Sequence, residues 1–228
     1  MVAIRSKSLK HLSGLRWHRH VQRQPVRHEL PLRQDLDSQV NTLGIVQPTK
    51  KMGIRAGHLA KSLVSQGFAP VWSGSAAEAG LVEQIDPGHQ YASTAGRLDL
   101  AQLWHLLQGA ALLVVPDTGI AHLAKLTGTP TVCLFGPGSD GLFGTGEFWR
   151  NHRFVPVIES DFPCRDQHTL FGRRIEWVQR CQRSTAQCAA PACMHALDVE
   201  RVIAACDALL HAAPPGSAPP RLTPHQPA

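Results

Sequence analysis

The run Pro116-Asp117-Thr118-Gly119-Ile120-Ala121-His122 brings together the residue types best suited to chemistry in this 228-residue chain. An acid, a hydroxyl and a glycine stand just before a short apolar segment, and a histidine follows four residues after the hydroxyl. If that segment is a helix, its first N–H groups lack intrahelical partners and its start carries a partial positive charge. Together these make a site for phosphate oxygens. Gly119 lets a ligand approach the backbone closely. Thr118 adds a hydroxyl donor, and His122 lies one turn on, on the same side of the helix. Asp117 suits the hydroxyls of a ribose or sugar better than phosphate. The combination points to a sugar-nucleotide diphosphate. Taken singly, Asp117 also reads as a helix cap and His122 as a core residue.

These residues need particular elements around them. Ala111–Val115 is a buried apolar run, Ile120–Leu126 has helical spacing, and Thr131–Phe135 is a second apolar run. Gly128 ends the helix and Pro130 restarts the chain. Two apolar runs joined by one short helix make a βαβ unit, hence a parallel sheet covered by helices. Ligands of such sheets bind beyond the carboxyl ends of the strands, where Asp117 to Gly119 fall. Upstream, Thr42–Pro48 reads as a first strand and Arg55–Gln66 as a helix carrying Leu59, Leu63 and Val64, closed by Gly67. Phe68–Trp72 is the next strand, Ser73-Gly74-Ser75 starts a helix, and Asp99 caps a helix over Leu100–Leu107. Leu197–Ala212 is a final helix with an apolar stripe. The fold class is α/β, a Rossmann-like parallel sheet with helices on both faces.

Composition narrows the function classes. Hydrophobic content of 43% with 18% charged residues indicates a globular chain, and no apolar run approaches a membrane span. Met1–Lys10 has charge without the apolar core of a secretory signal, so the expected location is the cytoplasm. Met1 to Gln34 holds eight Lys/Arg against Glu29, leaving 15 basic and 16 acidic residues elsewhere. That basic segment, with Trp17 and four histidines, reads as a solvated arm or a contact for anionic lipid or lipopolysaccharide phosphate. No recognised nucleic-acid module accompanies it, and no nucleic-acid partner is expected.

The stretch PDTGIAHLAKLTGTPTVCLFGP, Pro116 to Pro137, resembles the donor-site signature of the heptosyltransferases, glycosyltransferase family 9. The family pattern is Asp-(Ser/Thr)-Gly-x-x-His-Leu, a helix, a Thr-Pro strand start and an aromatic-Gly-Pro end. The resemblance implies the GT-B arrangement of two facing α/β domains, with this chain supplying the C-terminal, donor-binding half. It implies ADP-heptose as donor substrate, no cofactor or metal, and a lipopolysaccharide core acceptor at the inner membrane surface. Donor contacts carried over are Asp117, Thr118, Gly119 and His122, then Lys51 with Thr49 and Lys50 in the loop after the first strand. Glu78 falls near an acid that meets the adenosine ribose, and Leu98 near a residue flanking the adenine. The Trp-Pro that follows the lysine in the family is missing here.

The implied organisation is a basic arm, a remnant of the acceptor domain and linker, over residues 1–41, a donor-binding domain over 42–212, and a disordered tail over 213–228 with six prolines. About 150 residues of the family's acceptor domain, which usually supplies the base, are expected to be absent, and no catalytic base is legible. The alternative reading is a non-catalytic remnant, or a nucleotide-sugar-binding domain needing a separate acceptor domain. Another GT-B transferase or epimerase is a third reading. Gly138 to Gly146 is expected to be a flexible glycine-rich loop closing over the donor. Cys164, Cys181, Cys188 and Cys193 have gaps that fit no common zinc template, Cys188-x4-Cys193 coming nearest. Reduced structural thiols and a zinc site both remain open for them.

Overall fold

The computed structural model describes residues 43–48, 55–184 and 186–211. The basic segment 1–41, Thr49, Lys50, Lys51 and the proline-rich tail 213–228 lie outside the described residues. Six parallel strands form the main sheet: β1 (Leu43–Val46), β2 (Ala69–Trp72), β3 (Ala92–Ser93), β4 (Leu112–Pro116), β5 (Thr131–Phe135) and β6 (Phe154–Ile158). Their spatial order is β3-β2-β1-β4-β5-β6. The chain builds outward from β1 in one direction, then returns and builds outward from β4 in the other, so β1 and β4 flank a topological switch point.

Both faces of the sheet are buried, and the strand residues alternate between them. Val46, Leu112, Val114, Val132 and Leu134 pack with α1 (Arg55–Ser65) and α7 (Val199–His211). Ile45, Leu113, Val115, Cys133 and Phe135 pack with α3 (Leu100–Gly109) and α4 (Gly119–Thr127). This is why β4 and β5 read as continuous apolar runs instead of alternating ones. Between β2 and β3 lies α2 (Ala79–Ile85), and fully buried Trp72 donates its indole N–H to Asp86 at 3.0 Å. Burial pushes the Asp86 carboxyl up, but bonds from the Gln90 amide, Trp72 and the Tyr91 amide outweigh it and hold it below the usual carboxylate range.

Several expected signals stand as read. Asp99 accepts a hydrogen bond from the Gln102 amide at 2.8 Å and caps α3. Gly128 closes α4 in the left-handed region, φ 75°, where a side chain is unfavourable. Ser73 to Ser75 leads first into a 3-10 turn, Ala76–Glu78, and only then into α2. The expectation of a flexible loop over Gly138 to Gly146 is corrected. It contains a short helix, α5 (Asp140–Phe143), whose last carbonyls are held from α4 by Lys125. β6 was not read from the sequence: Pro156 interrupts its pattern, and the strand tolerates it because β6 is the sheet edge. Beyond β6 come a two-stranded antiparallel hairpin, β7 (Thr169–Leu170) and β8 (Arg173–Arg174), and a one-turn helix, α6 (Ala192–His195).

Candidate functional site

The parallel ladder continues past the strand ends and lines up a polar rim. The Thr94 amide donates to Trp72, Ser73 to Val46, Gln47 to Val114 and Asp117 to Leu134, at 2.8, 3.0, 3.0 and 3.0 Å. Thr94, Ser73 and Gln47 are buried polar residues in that row. At its centre, between the ends of β1 and β4, the Thr118 hydroxyl donates to Gln47 Oε1 at 3.3 Å.

Thr118 is the N-cap of α4 in extended conformation, yet its side chain caps no amide of the first helical turn. The Ala121 amide donates to Thr118 O at 3.0 Å, so Thr118 leaves the Gly119 and Ile120 amides free of its side chain, and the hydroxyl is turned across the switch point instead. Gly119 is exposed, and a Cβ built there meets nothing within 4 Å. An open helix N-terminus at the switch point of a parallel sheet is suited to an anionic oxygen.

Asp117 is half-buried between that turn and the loop after β5. A Cβ added at Gly138 would collide with Asp117 Oδ2, so the loop passes directly against the carboxylate. Burial raises the Asp117 carboxyl above its ordinary range, opposed by the charges of His122 and Lys125. The close approach of Gly138 is enforced by Arg165, which is buried and donates to Gly138 O at 2.7 Å, to Glu159 O at 3.0 Å and to Gly136 O.

His122 is exposed and meets the Phe143 ring edge-on, centroids 6.2 Å apart. Lys125 lies one turn further along α4 and is only 4% exposed. Its ammonium donates to Phe143 O at 2.7 Å and Gly144 O at 2.5 Å and sits 4.4 Å from the centre of the Phe154 ring. Burial lowers the Lys125 pKa, while the Cys133 and Asp117 groups pull it back up. Helix α4 thus anchors α5 through both His122 and Lys125.

Glu78 is half-buried beyond the end of β2, where Oε2 accepts from the Ser75 amide at 2.7 Å and from its hydroxyl at 3.0 Å. One carboxylate oxygen is thereby committed to the capping box of the 3-10 turn. Leu98 is half-buried beyond β3, in a loop tied to Gly74 by the Gly96 amide at 2.9 Å. Glu78 and Leu98 therefore belong to the same rim as Asp117, Thr118 and Gly119, displaced toward the β3 edge. Thr49 and Lys51 lie outside the described residues.

Sequence reasoning missed Gln47, Lys125 and Arg165. A polar residue closing the first strand was a signal for Gln47. A lysine within the apolar spacing of a short helix was one for Lys125. Nothing local marks Arg165.

Cys164, Cys181, Cys188 and Cys193, far apart in sequence, all line one cavity of about 100 Å³ beside Pro137 and Arg183. All four are free thiols, and among the described residues no group of three or more His, Cys, Asp or Glu is arranged to hold a metal ion. Burial and the neighbouring Cys181 push the Cys164 thiol up. Burial acts upward on Cys181 too, but the Arg183 amide and guanidinium outweigh it and hold that thiol lower.

Comparison with known proteins places the chain in a family. Lipopolysaccharide heptosyltransferase 1 of Pseudomonas aeruginosa is 33% identical over 145 residues, covering 60% of this chain and 37% of the relative. The enzyme of the same name from Salmonella typhimurium is 27% identical over 100 residues, covering 44% of this chain and 31% of the relative. The chain thus spans about a third of the length of these curated relatives. Among solved structures, Escherichia coli ADP-heptose lipopolysaccharide heptosyltransferase II shares the fold, with a TM-score of 0.54 at 18% identity over 78% of this chain and 51% of that one. The family model of glycosyltransferase family 9 (heptosyltransferase) matches residues 58–174, from α1 through β8 and including the Asp117 turn. On that match, which takes in half of the sequence, the chain belongs to glycosyltransferase family 9.

Proposed function

We propose that this chain is the donor-binding half, over residues 42–212, of a heptosyltransferase-type enzyme. In this reading it takes a heptose from ADP-heptose and passes it to a lipopolysaccharide core acceptor on the cytoplasmic side of the inner membrane. The observation that carries the proposal is the uncapped N-terminus of α4, open at Gly119 and set at the β1/β4 switch point. The diphosphate lies against the first-turn amides and the Thr118 hydroxyl, with Lys51 and Thr49 as further contacts. Asp117 and His122 face the sugar side. Glu78 offers its second oxygen to the ribose, and Leu98 flanks the base.

Transfer requires that charge developing on the departing ADP be stabilised. Preorganised amides at a helix start supply this electrostatically, without reorganisation during the step. The acceptor hydroxyl loses its proton to a base as it attacks the anomeric carbon. That base is assigned to the acceptor-binding half, because Asp117 is packed against the Gly138 loop on the donor side. Binding without turnover, until an acceptor domain is supplied, is the corresponding second reading.

Calorimetry of the purified chain with ADP, UDP and ADP-heptose tests the proposal. ADP and ADP-heptose should bind and UDP should bind more weakly. Absence of binding by all three would remove it.

A further inference from the structure

The segment from Pro163 to Arg183 departs from the layered plan and carries a feature that fold stability does not explain. Phe171 and Gly172 form the two-residue turn between β7 and β8, and both have positive φ, 51° and 72°. A bulky residue in the left-handed region costs on the order of 1 kcal/mol. Phe171 is also 93% exposed, so its ring gains almost nothing from the protein. Arg173 and Arg174 beside it are exposed, and Trp177 shows 62% of its surface while its inner edge packs over Gly141.

The charge of this segment is one-sided. It holds five arginines against Asp166 and Glu176. Both acids are already paired, Asp166 with Arg183 at 2.8 Å and Glu176 with Arg174 at 2.7 Å. The hairpin is nonetheless firmly placed. Gln167 and Arg180 exchange backbone hydrogen bonds at 3.0 and 3.2 Å, and the Arg180 guanidinium holds Thr169 O at 3.0 Å. Val178 is fully buried, and the Cys181 amide donates to Pro137 O at 2.9 Å. The aromatic tip is thus fixed relative to the Gly136–Gly138 loop that lies against Asp117.

We propose that the β7–β8 hairpin is a contact for an anionic lipid bilayer. Phe171 enters the headgroup region and Arg173 lies against a lipid phosphate, while Arg174 stays paired with Glu176. Aromatic side chains favour the membrane interface, and each arginine near an anionic surface adds about 1 kcal/mol. One ring and one cation give reversible attachment. A single-stranded nucleic acid fits less well, because stacking platforms offer several rings along a groove, whereas this is one ring on a convex tip. Membrane attachment here goes beyond the donor reading and does not depend on which nucleotide the α4 turn accepts. It would hold that turn beside the lipid surface.

The test is co-sedimentation of the full chain with sucrose-loaded phosphatidylcholine vesicles, with and without about one-third phosphatidylglycerol. The chain should sediment with the anionic vesicles, poorly with the neutral ones, and less as salt rises. Phe171→Ser and Arg173→Ser should each lower partitioning about fivefold, from about 1 kcal/mol per group. Phe171→Trp should retain binding. Unchanged near-ultraviolet circular dichroism confirms that each variant is folded. The proposal is overturned if the wild type ignores anionic vesicles, or if folded variants bind as the wild type does, since another surface then carries the attachment. It is also overturned if a single-stranded oligonucleotide competes the chain off the vesicles with the same variant dependence. Vesicle binding without ADP binding would sink the donor reading and leave the membrane contact standing.

Discussion

The hydroxyl of Thr118 donates to Gln47 Oε1 across 3.3 Å, joining the ends of β4 and β1 over the switch point of the sheet. A hydroxyl left free of the helix it precedes can exchange this long bond to Gln47 for one to a ligand oxygen. Thr118→Val keeps the shape and removes the donor. It should weaken ADP binding by about 1 kcal/mol, roughly fivefold, while Thr118→Ser stays near wild type. Calorimetry checks both, and wild-type affinity in the valine variant would confine the hydroxyl to a structural role.

Gly138 has no room for a side chain beside Asp117. Gly138→Ala should destabilise the fold by about 1–3 kcal/mol through overpacking. In an Asp117→Ala background most of that cost should vanish, because the colliding carboxylate is gone. A double-mutant cycle in denaturant measures the coupling, expected at about 1 kcal/mol or more. Additive effects would contradict the contact.

Asp117 has its carboxyl raised by burial, so the folded state binds that proton more tightly than the unfolded one. Its contribution to stability is therefore most favourable below the ordinary value of 3.8 and is lost as pH rises through the raised native value. Asp117→Asn removes this slope. Relative to the wild type, the asparagine variant should gain stability as pH is taken from below 3.8 to neutrality. Its affinity for ADP-heptose should fall more than its affinity for AMP. Thermal midpoints across pH and calorimetry give the two readouts.

Lys125 satisfies two carbonyls at the end of α5 from inside α4. Lys125→Met leaves those carbonyls without their charged donor and should cost about 1–3 kcal/mol. Amide exchange should accelerate over residues 139–146 before it does in β4 or β5. Uniform acceleration would mean that Lys125 supports the whole core rather than this loop.

Glu78 uses one oxygen to cap the turn after β2. Glu78→Gln should keep most of the stability, since an amide oxygen can still accept from Ser75. If the second oxygen holds a ribose hydroxyl, the wild type should prefer ADP to 2′-deoxy-ADP, and the glutamine variant should lose most of that preference. Equal preference in both would limit Glu78 to capping.

Signals confined to a few neighbouring residues were legible in the sequence alone. The apolar runs of β4 and β5, the turn at Asp117 to Gly119, the stop at Gly128 and the Asp99 cap follow from dihedral preference, periodicity and local hydrogen bonding. They sufficed to indicate a parallel sheet with a polar turn at a strand end. β6 escaped because Pro156 breaks its pattern, and only its place at the sheet edge makes the proline tolerable. The partners of the site were decided by tertiary structure. Gln47 reaches Thr118 from 71 residues away because β1 and β4 are neighbours. Arg165 reaches Gly138 across 27 residues because the chain folds back beyond β6. Which strands adjoin depends on burying both faces of the sheet at once, a condition on the whole chain that no short window of residues contains.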